Sequence, residues 1–105
     1  MDIHPNELKE RLDAGETLLM IDVREPHEWE MQTLEGVKTI SLGEIPGSLG
    51  ELAAYKDAEI IMICRSGGRS GQACNFLRSS GFTNARNLAG GMMAWKAYID
   101  PTFVL

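Results

Sequence analysis

The feature that most restricts the fold of this chain is a buried strand that leads directly into a glycine-containing loop and then into a helix. Residues 60–63 read Ile-Ile-Met-Ile, a short and largely β-branched apolar run that is typical of a central strand. Residues 64–69 follow as Cys-Arg-Ser-Gly-Gly-Arg. We predict a helix over residues 71–80, with Ser70 as its N-cap. A strand joined to a helix in this way is the repeating unit of a parallel α/β sheet.

Apolar runs and helical patterns alternate along the rest of the chain. We expect further strands over residues 18–23, 38–42 and 85–88, and further helices over residues 5–12, 26–31, 48–55 and 92–98. On the helix over 71–80, Ala73, Phe76 and Leu77 are expected to lie on one face. The alternation predicts an α/β fold with a mostly parallel central sheet of about five strands and helices on both faces. The length of 105 residues predicts a single domain over residues 1–105.

Charge and hydropathy exclude several classes of partner. The net charge of −5 argues against broad binding of nucleic acid or of an anionic membrane. No apolar run approaches the roughly 18 residues of a membrane helix, and the N-terminus lacks the layout of a secretory signal, so we expect a cytoplasmic protein. Residues 60–105 hold five of the ten basic residues against one acid. This locally basic half suggests a small anionic ligand.

The two cysteines, Cys64 and Cys74, are too few for a disulfide scaffold. Their spacing matches neither a zinc site nor a C-x-x-C redox motif, and two isolated histidines, His4 and His27, provide no metal site. We therefore expect no metal and no cofactor. Cys74 is predicted to pack in the core, and a role as a resolving thiol for Cys64 is the less favoured alternative.

Several sources of positive potential are expected to converge on Cys64. The C-terminal end of a parallel strand is where such folds place their sites. Gly67 and Gly68 allow the loop backbone to turn its N–H groups inward, the following helix begins near Ser70, and Arg65 and Arg69 flank the loop. Such surroundings lower a thiol pKa from about 8.5 to between about 3.5 and 7.5. The loop therefore predicts a nucleophilic thiolate that handles an anionic substrate, and this reasoning leaves open whether that substrate carries sulfur or phosphorus.

The length of the loop favours sulfur. Cysteine-dependent phosphatases use a C-x5-R loop that wraps a tetrahedral phosphoryl group, whereas Cys64 to Arg69 is C-x4-R. A loop one residue shorter is expected to be tighter and to suit a single sulfur atom or the end of a thiosulfate ion.

Three ordered segments of the chain resemble the rhodanese family. Residues 22–29, Asp-Val-Arg-Glu-Pro-His-Glu-Trp, are similar to the first family signature, D-V-R-x-x-x-E-[FWY]. Residues 64–70 resemble the active-site loop of the sulfurtransferase branch, and residues 87–95 resemble the closing N-L-x-G-G-x-x-A-W segment. The chain departs from the family at residues 32–37, where Gln-Thr-Leu-Glu-Gly-Val replaces the usual G-H-I-x-G-A.

The resemblance implies a thiosulfate sulfurtransferase with a persulfide on Cys64. It implies that Arg65, Ser66, Gly67, Gly68, Arg69 and Ser70 form the substrate-binding loop. A small anionic sulfur donor would load Cys64, and cyanide, a cellular thiol or a sulfur-acceptor protein would take the sulfur. The two loop arginines favour thiosulfate over mercaptopyruvate, whose branch has a less basic loop. A sulfur-relay carrier and a regulatory binding module on the same fold remain alternatives, as does a phosphatase or arsenate reductase, which the short loop disfavours.

We also predict the contacts and exposure of several residues outside the loop. Asp22 is expected to accept backbone N–H groups at a strand end, and Arg24 is expected to pair with Glu28 and fix the next turn. His27 is expected to be solvated, although it could approach the site. The apolar tail over residues 99–105 is expected to fold back onto the domain rather than to offer an apolar patch to a partner.

Overall fold

The computed structural model describes all residues, 1–105, and contains one parallel sheet with helices on both faces. The strands are β1 (Asp2–Ile3), β2 (Leu19–Asp22), β3 (Lys38–Thr39), β4 (Ile60–Ile63) and β5 (Ala85–Leu88), in the order β1-β5-β4-β2-β3. The helices are α1 (Pro5–Asp13), α2 (Pro26–Trp29), α3 (Leu49–Leu52), α4 (Gly68–Ser79) and α5 (Gly91–Tyr98). All four strand pairs are parallel, so the predicted fold class is confirmed.

Strand β4 lies at the centre of the sheet, between β2 and β5, and it divides the core into two layers. Ile60 and Met62 pack under α3 and α4, whereas Ile61 and Ile63 pack under α1 and α5. This alternation follows from the two-residue period of a strand, and burial on both faces explains why the run is apolar throughout. The carboxyl end of β4 therefore holds residue 64 firmly between two packed layers.

The structure differs from the predicted elements at the edge of the sheet. The strand expected over residues 38–42 is limited to β3 and gives way to a 3-10 turn at Leu42–Glu44. The helix expected over 48–55 is split into α3 with a 3-10 turn on either side. Both differences have a physical reason. Strand β3 is an exposed edge with one neighbour. Pro46 and Gly47 directly precede the helical segment, and Gly50 lies within it. The two-residue strand β1 was not predicted.

Helix α4 begins earlier than predicted, and the assignment of Ser70 as its N-cap is wrong. The cap is Gly67, whose φ of 100° lies in the left-handed region that favours glycine. Ser70 lies inside the helix, with its hydroxyl turned to the loop. The buried face of α4 comprises Ser70, Ala73, Cys74 and Leu77. Phe76, predicted on the same face as Ala73 and Leu77, is 37% exposed and lies at the edge of the buried residues.

The C-terminal tail folds back onto the sheet, as predicted. Phe103 is 1% exposed and packs in the layer under α1 and α5. The backbone N–H of Val104 donates to Gln32 Oε1 at 2.9 Å. Gln32 belongs to the segment that departs from the family pattern, so this departure helps to anchor the tail. None of the helices has the length and apolar character needed to cross a lipid bilayer.

A partly buried ion cluster joins the opposite, amino-terminal edge of the sheet to α1. Glu59, directly before β4, accepts hydrogen bonds from the guanidinium groups of Arg11 and Arg86. The hydrogen bonds from Arg11 contribute most and those from Arg86 add to them, so that the pKa of Glu59 falls to about 2 although partial burial opposes the change. The cluster therefore links residues that are distant in sequence through one carboxylate that stays ionised near neutral pH.

We predict that Glu59→Gln lowers the free energy of unfolding at pH 7 by about 1–3 kcal/mol, since it removes hydrogen bonds to a charged group. A depressed carboxylate pKa adds stability above the unfolded pKa of 4.5, and this stability is lost as the pH falls towards 2. The free energy of unfolding, measured with urea between pH 7 and pH 2, should fall less with decreasing pH in this variant than in the wild type. The control is Glu44→Gln, which changes an exposed carboxylate outside the ion pairs. Equal acid dependence in the wild type and Glu59→Gln would contradict the prediction.

Candidate active site

Cys64 directly follows β4 and lies at the floor of the loop that leads into α4. Cys64 is 1% exposed to solvent. The backbone N–H of Gly67 donates to Cys64 Sγ at 3.0 Å, and the hydroxyl of Ser70 lies 3.2 Å from the same sulfur. The sulfur is thus enclosed, but its surroundings on the loop side are polar donors rather than hydrocarbon.

Two opposing effects set the protonation of Cys64. Burial, the largest single influence, raises the pKa of the thiol. Hydrogen bonds from the Ser70 hydroxyl and from the backbone N–H groups of Ser70, Gly67 and Ser66 lower it, and together they bring the pKa below its ordinary value. The direction agrees with the prediction from the loop sequence, but the donors in direct contact are a hydroxyl and peptide groups rather than guanidinium groups.

Arg69 is held by Glu28 rather than pointing freely at the sulfur. Its Nη1 and Nη2 atoms lie 2.6 and 2.9 Å from the two carboxylate oxygens of Glu28. This bidentate pair is the main reason that the pKa of Glu28 falls to about 2. It is also the main reason that the pKa of Arg69 is raised, to which attraction by Cys64 adds. Arg69 therefore still acts on the sulfur through its charge, which Glu28 largely offsets.

The predicted pair between Arg24 and Glu28 is wrong, because Arg24 folds back onto Asp22. The guanidinium of Arg24 makes hydrogen bonds of 2.8–3.0 Å to the Asp22 carboxylate, and both residues are 1% exposed. Asp22 also accepts the backbone N–H of Arg24, as expected at a strand end. A second donor of Arg24 reaches the carbonyl oxygen of Gln32 at 2.7 Å. The buried pair thus fixes the turn after β2, and Glu28 remains available for Arg69.

Arg65 is the exposed arginine of the loop. Its Nη1 atom lies 3.5 Å from Met93 Sδ, and it forms no ion pair with a carboxylate. Beside it lies a cleft of about 420 Å³, lined by Arg24, His27, Glu28, Met31, Arg65 and Leu105. His27 is exposed, as expected, and it shares this cleft with Arg65. The unpaired guanidinium makes the cleft suitable for an anion.

The turn at Gly90 and Gly91 supports the loop from beneath. The backbone N–H groups of Met92 and Met93 donate to the carbonyl oxygens of Cys64 and Arg65, both at 2.9 Å. A Cβ atom on Gly91 would lie 2.5 Å from the Cys64 carbonyl oxygen, and its φ is +60°. Only glycine fits this contact without moving the loop, which explains the need for glycine where the chain crosses beneath Cys64.

The contacts of two residues with the loop were not predicted from the sequence. Glu28 pairs with Arg69, and Asn87 on β5 contacts both Ser70 and the carbonyl oxygen of Gly67. Glu28 lies on the helix that follows β2, and Asn87 is the penultimate residue of β5; both strands neighbour β4 in the sheet. The rule that carboxyl ends of parallel strands meet at one edge could have found them, once the strand order was known.

Cys74 occupies the packed position predicted for it. It is 5% exposed in the apolar layer under α4, and burial raises its pKa to about 11. This thiol is protonated at neutral pH, and its pKa shifts in the opposite direction to that of Cys64. No three side chains of His, Cys, Asp or Glu are grouped so that they could hold a metal ion.

Comparisons with known proteins place the chain among rhodanese-like domains. The model of the family described as the rhodanese-like domain matches residues 4–98. YtwF of Bacillus subtilis, which carries a sulfurtransferase name, is 42% identical over 94 residues, covering 90% of this chain and 88% of YtwF. MoeZ of Mycobacterium tuberculosis, named as an adenylyltransferase/sulfurtransferase, is 34% identical over 103 residues. The match covers 98% of this chain but 26% of MoeZ, so the chain spans about a quarter of that relative.

A solved structure shows the same architecture. The human single-domain sulfurtransferase TSTD1 superposes with a TM-score of 0.81 at 28% identity. The superposition covers 92% of this chain and 96% of the human chain. The likeness therefore extends over nearly the whole sheet and its helices.

We predict that Gly91→Ala slows alkylation of Cys64 by iodoacetamide at pH 7 about tenfold or more, because the new Cβ displaces the carbonyl groups of residues 64 and 65. Mass spectrometry of the peptide that contains Cys64 gives the rate. The control is Gly50→Ala on α3, where a Cβ meets no atom within 4 Å. A folded Gly91→Ala protein with the wild-type alkylation rate would show that the contact does not shape the loop.

Proposed function

Since this chain belongs to the rhodanese-like domain family, we propose that it is a sulfurtransferase that carries sulfane sulfur as a persulfide on Cys64. The donor is thiosulfate or a similar small anion, and the acceptor is cyanide, a thiol or a cysteine of a protein. One observation carries the proposal: Cys64 Sγ, at the carboxyl end of β4, accepts hydrogen bonds that favour its thiolate. A reducing cytoplasm, our expected location, would keep this thiol free.

In the first half-reaction, Cys64 acts as the nucleophile. The thiolate attacks the outer sulfur of thiosulfate, a bond forms between Sγ and that sulfur, and the sulfur–sulfur bond of the donor breaks. The bonding electron pair leaves with sulfite, so a dianion is consumed and a dianion is released. The hydrogen bonds that lower the pKa of Cys64 favour the thiolate, so the step needs no separate general base.

In the second half-reaction, the acceptor attacks the outer sulfur of the persulfide. The bond between the two sulfurs breaks, and its electron pair returns to Cys64 as the thiolate. Cyanide becomes thiocyanate, and a thiolate becomes a persulfide anion, with charge balanced in both cases. The hydrogen bonds from Gly67 and Ser70 then stabilise the thiolate as a leaving group.

The loop residues have distinct proposed roles. Arg65 has no carboxylate partner, so its guanidinium can bind the anionic donor at the cleft. Ser66, Gly67 and Ser70 provide N–H and hydroxyl groups around the sulfur, and Gly68 begins the helix that follows. Arg69 adds a charge that Glu28 holds in place. A phosphatase would need a longer loop whose arginine is free to bind a phosphoryl group. Because Arg69 is paired with Glu28, the loop supports sulfur transfer instead.

A sulfur-relay carrier is the second candidate. It is favoured by the match to MoeZ, which is named as an adenylyltransferase/sulfurtransferase and of which this chain covers about a quarter. In such a relay Cys64 would be loaded by another protein, and thiosulfate would serve only as a substitute donor. The thiolate and the loop would carry out the same chemistry in either case.

We predict that incubation with thiosulfate adds one sulfur atom to the protein, measured by intact-mass analysis. Cyanide should remove the added sulfur and release thiocyanate. The Cys64→Ser protein should gain no sulfur, whereas Cys74→Ser should gain it as the wild type does, since the Cys74 thiol is buried and protonated. Sulfur loading that survives Cys64→Ser would overturn the assignment of the persulfide to this residue.

We also predict that Arg65→Gln slows loading by a low thiosulfate concentration about tenfold, the effect of losing one hydrogen bond to a charged group. Loading by a persulfidated donor protein, which makes contacts of its own, should fall less. The control is Lys96→Gln on α5, outside the cleft. An unchanged dependence on thiosulfate would remove Arg65 from donor binding. Faster loading of the wild type by the protein donor than by thiosulfate would favour the relay.

A further inference from the structure

The Ser70 hydroxyl has two possible hydrogen-bond acceptors and one proton. Its Oγ atom lies 3.2 Å from Cys64 Sγ and 2.5 Å from Asn87 Oδ1. A serine hydroxyl can donate only one hydrogen bond at a time. The hydroxyl must therefore point either to the sulfur or to the amide oxygen, and the charge on the sulfur decides which is favoured.

Asn87 is fixed in the orientation that makes this choice possible. Its Nδ2 atom donates to the carbonyl oxygen of Gly67 at 3.0 Å. The reversed amide would place an oxygen against that carbonyl, so the hydrogen-bond network assigns Oδ1 to the side of Ser70. Gly71 leaves room for this amide, since a Cβ at position 71 would lie 3.3 Å from Nδ2. The acceptor thus has a defined place on β5.

We propose that Asn87 is a positioning residue that takes the hydrogen bond of Ser70 whenever Cys64 Sγ carries no charge, and releases it when Sγ becomes a thiolate. In the thiol form, the S–H group donates to Ser70 Oγ, and the hydroxyl donates to Asn87 Oδ1. In the thiolate form, the hydroxyl rotates to the sulfur, because a hydrogen bond to a charged acceptor is stronger than one to an amide oxygen.

The consequence for the reaction rests on the proposed function. In the persulfide the charge lies on the outer sulfur, so Sγ is neutral and the Ser70 hydroxyl returns to Asn87. When the acceptor removes the outer sulfur, charge reappears on Sγ, and the hydroxyl is already within reach of it. Asn87 thereby stabilises the neutral states of Sγ and holds the donor that the leaving thiolate needs.

The proposal predicts opposite effects of two substitutions on the pKa of Cys64. Ser70→Ala removes a donor to the thiolate and should raise the pKa. Asn87→Leu removes the competing acceptor and should lower it, so that alkylation at a pH below the midpoint becomes about threefold faster, as for loss of one hydrogen bond to the thiol form. In the Ser70→Ala background, Asn87→Leu should cause no further shift, since its effect passes through the hydroxyl.

The experiment is the pH profile of iodoacetamide alkylation in the four proteins of this double-mutant cycle. The rate is read by mass spectrometry from the peptide that contains Cys64. Asn75→Leu, at an exposed position on α4, is the matched control and should leave the profile unchanged. Thermal unfolding shows whether each variant folds, and Asn87→Ala, with the same expectation, replaces Asn87→Leu if the leucine is not accommodated.

Two results would overturn the proposal. One is a shift of the midpoint to higher pH, or no shift, in a folded protein that lacks the Asn87 amide. The other is a shift of the same size with and without Ser70, which would show that Asn87 acts on the loop only through Gly67. Because alkylation needs no sulfur donor, this outcome is independent of the persulfide measurement, and the two proposals can fail separately.

Discussion

The structure depends on the balance between burial and hydrogen bonding at one sulfur atom. The apolar strand β4 places Cys64 where it is 1% exposed, and burial alone would keep the thiol protonated. Donors from Gly67 and Ser70 reverse that effect. Cys74 on α4 shows the other outcome, because it is buried without such donors and its pKa rises to about 11. Reactivity here is therefore a property of the loop rather than of the residue type.

The donors are held in place by the carboxyl ends of three neighbouring strands. Strand β2 leads to α2, from which Glu28 binds Arg69. Strand β5 carries Asn87 as its penultimate residue and leads into the turn at Gly91. Strand β4 lies between them and carries Cys64 itself. The parallel sheet brings together groups that are 17 to 41 residues apart, and their hydrogen bonds fix the shape of the loop.

Local signals predicted the parts of the molecule that local sequence determines. The apolar residues of β4 and the glycines after it predicted the strand, the loop and the place of Cys64. The ion pairs between charged side chains were predicted less well, because they depend on the order of the strands in the sheet. Arg24 and Glu28 are four residues apart and suggested a pair, yet Arg24 folds onto Asp22, and Glu28 reaches Arg69 across 41 positions. The N-cap was misplaced for a related reason, since Gly67 adopts a positive φ that lets α4 begin before Ser70.

The two arginines of the loop are alike in sequence but unlike in the charge they present. The charge of Arg69 is largely offset by a bidentate carboxylate, whereas the exposed Arg65 has no carboxylate partner at the cleft. A loop with both guanidinium groups free would bind a phosphoryl group or any other multiply charged anion strongly. With one of them occupied, the remaining charge can attract a small anion to the loop, and the peptide and hydroxyl donors around the sulfur decide what reacts there.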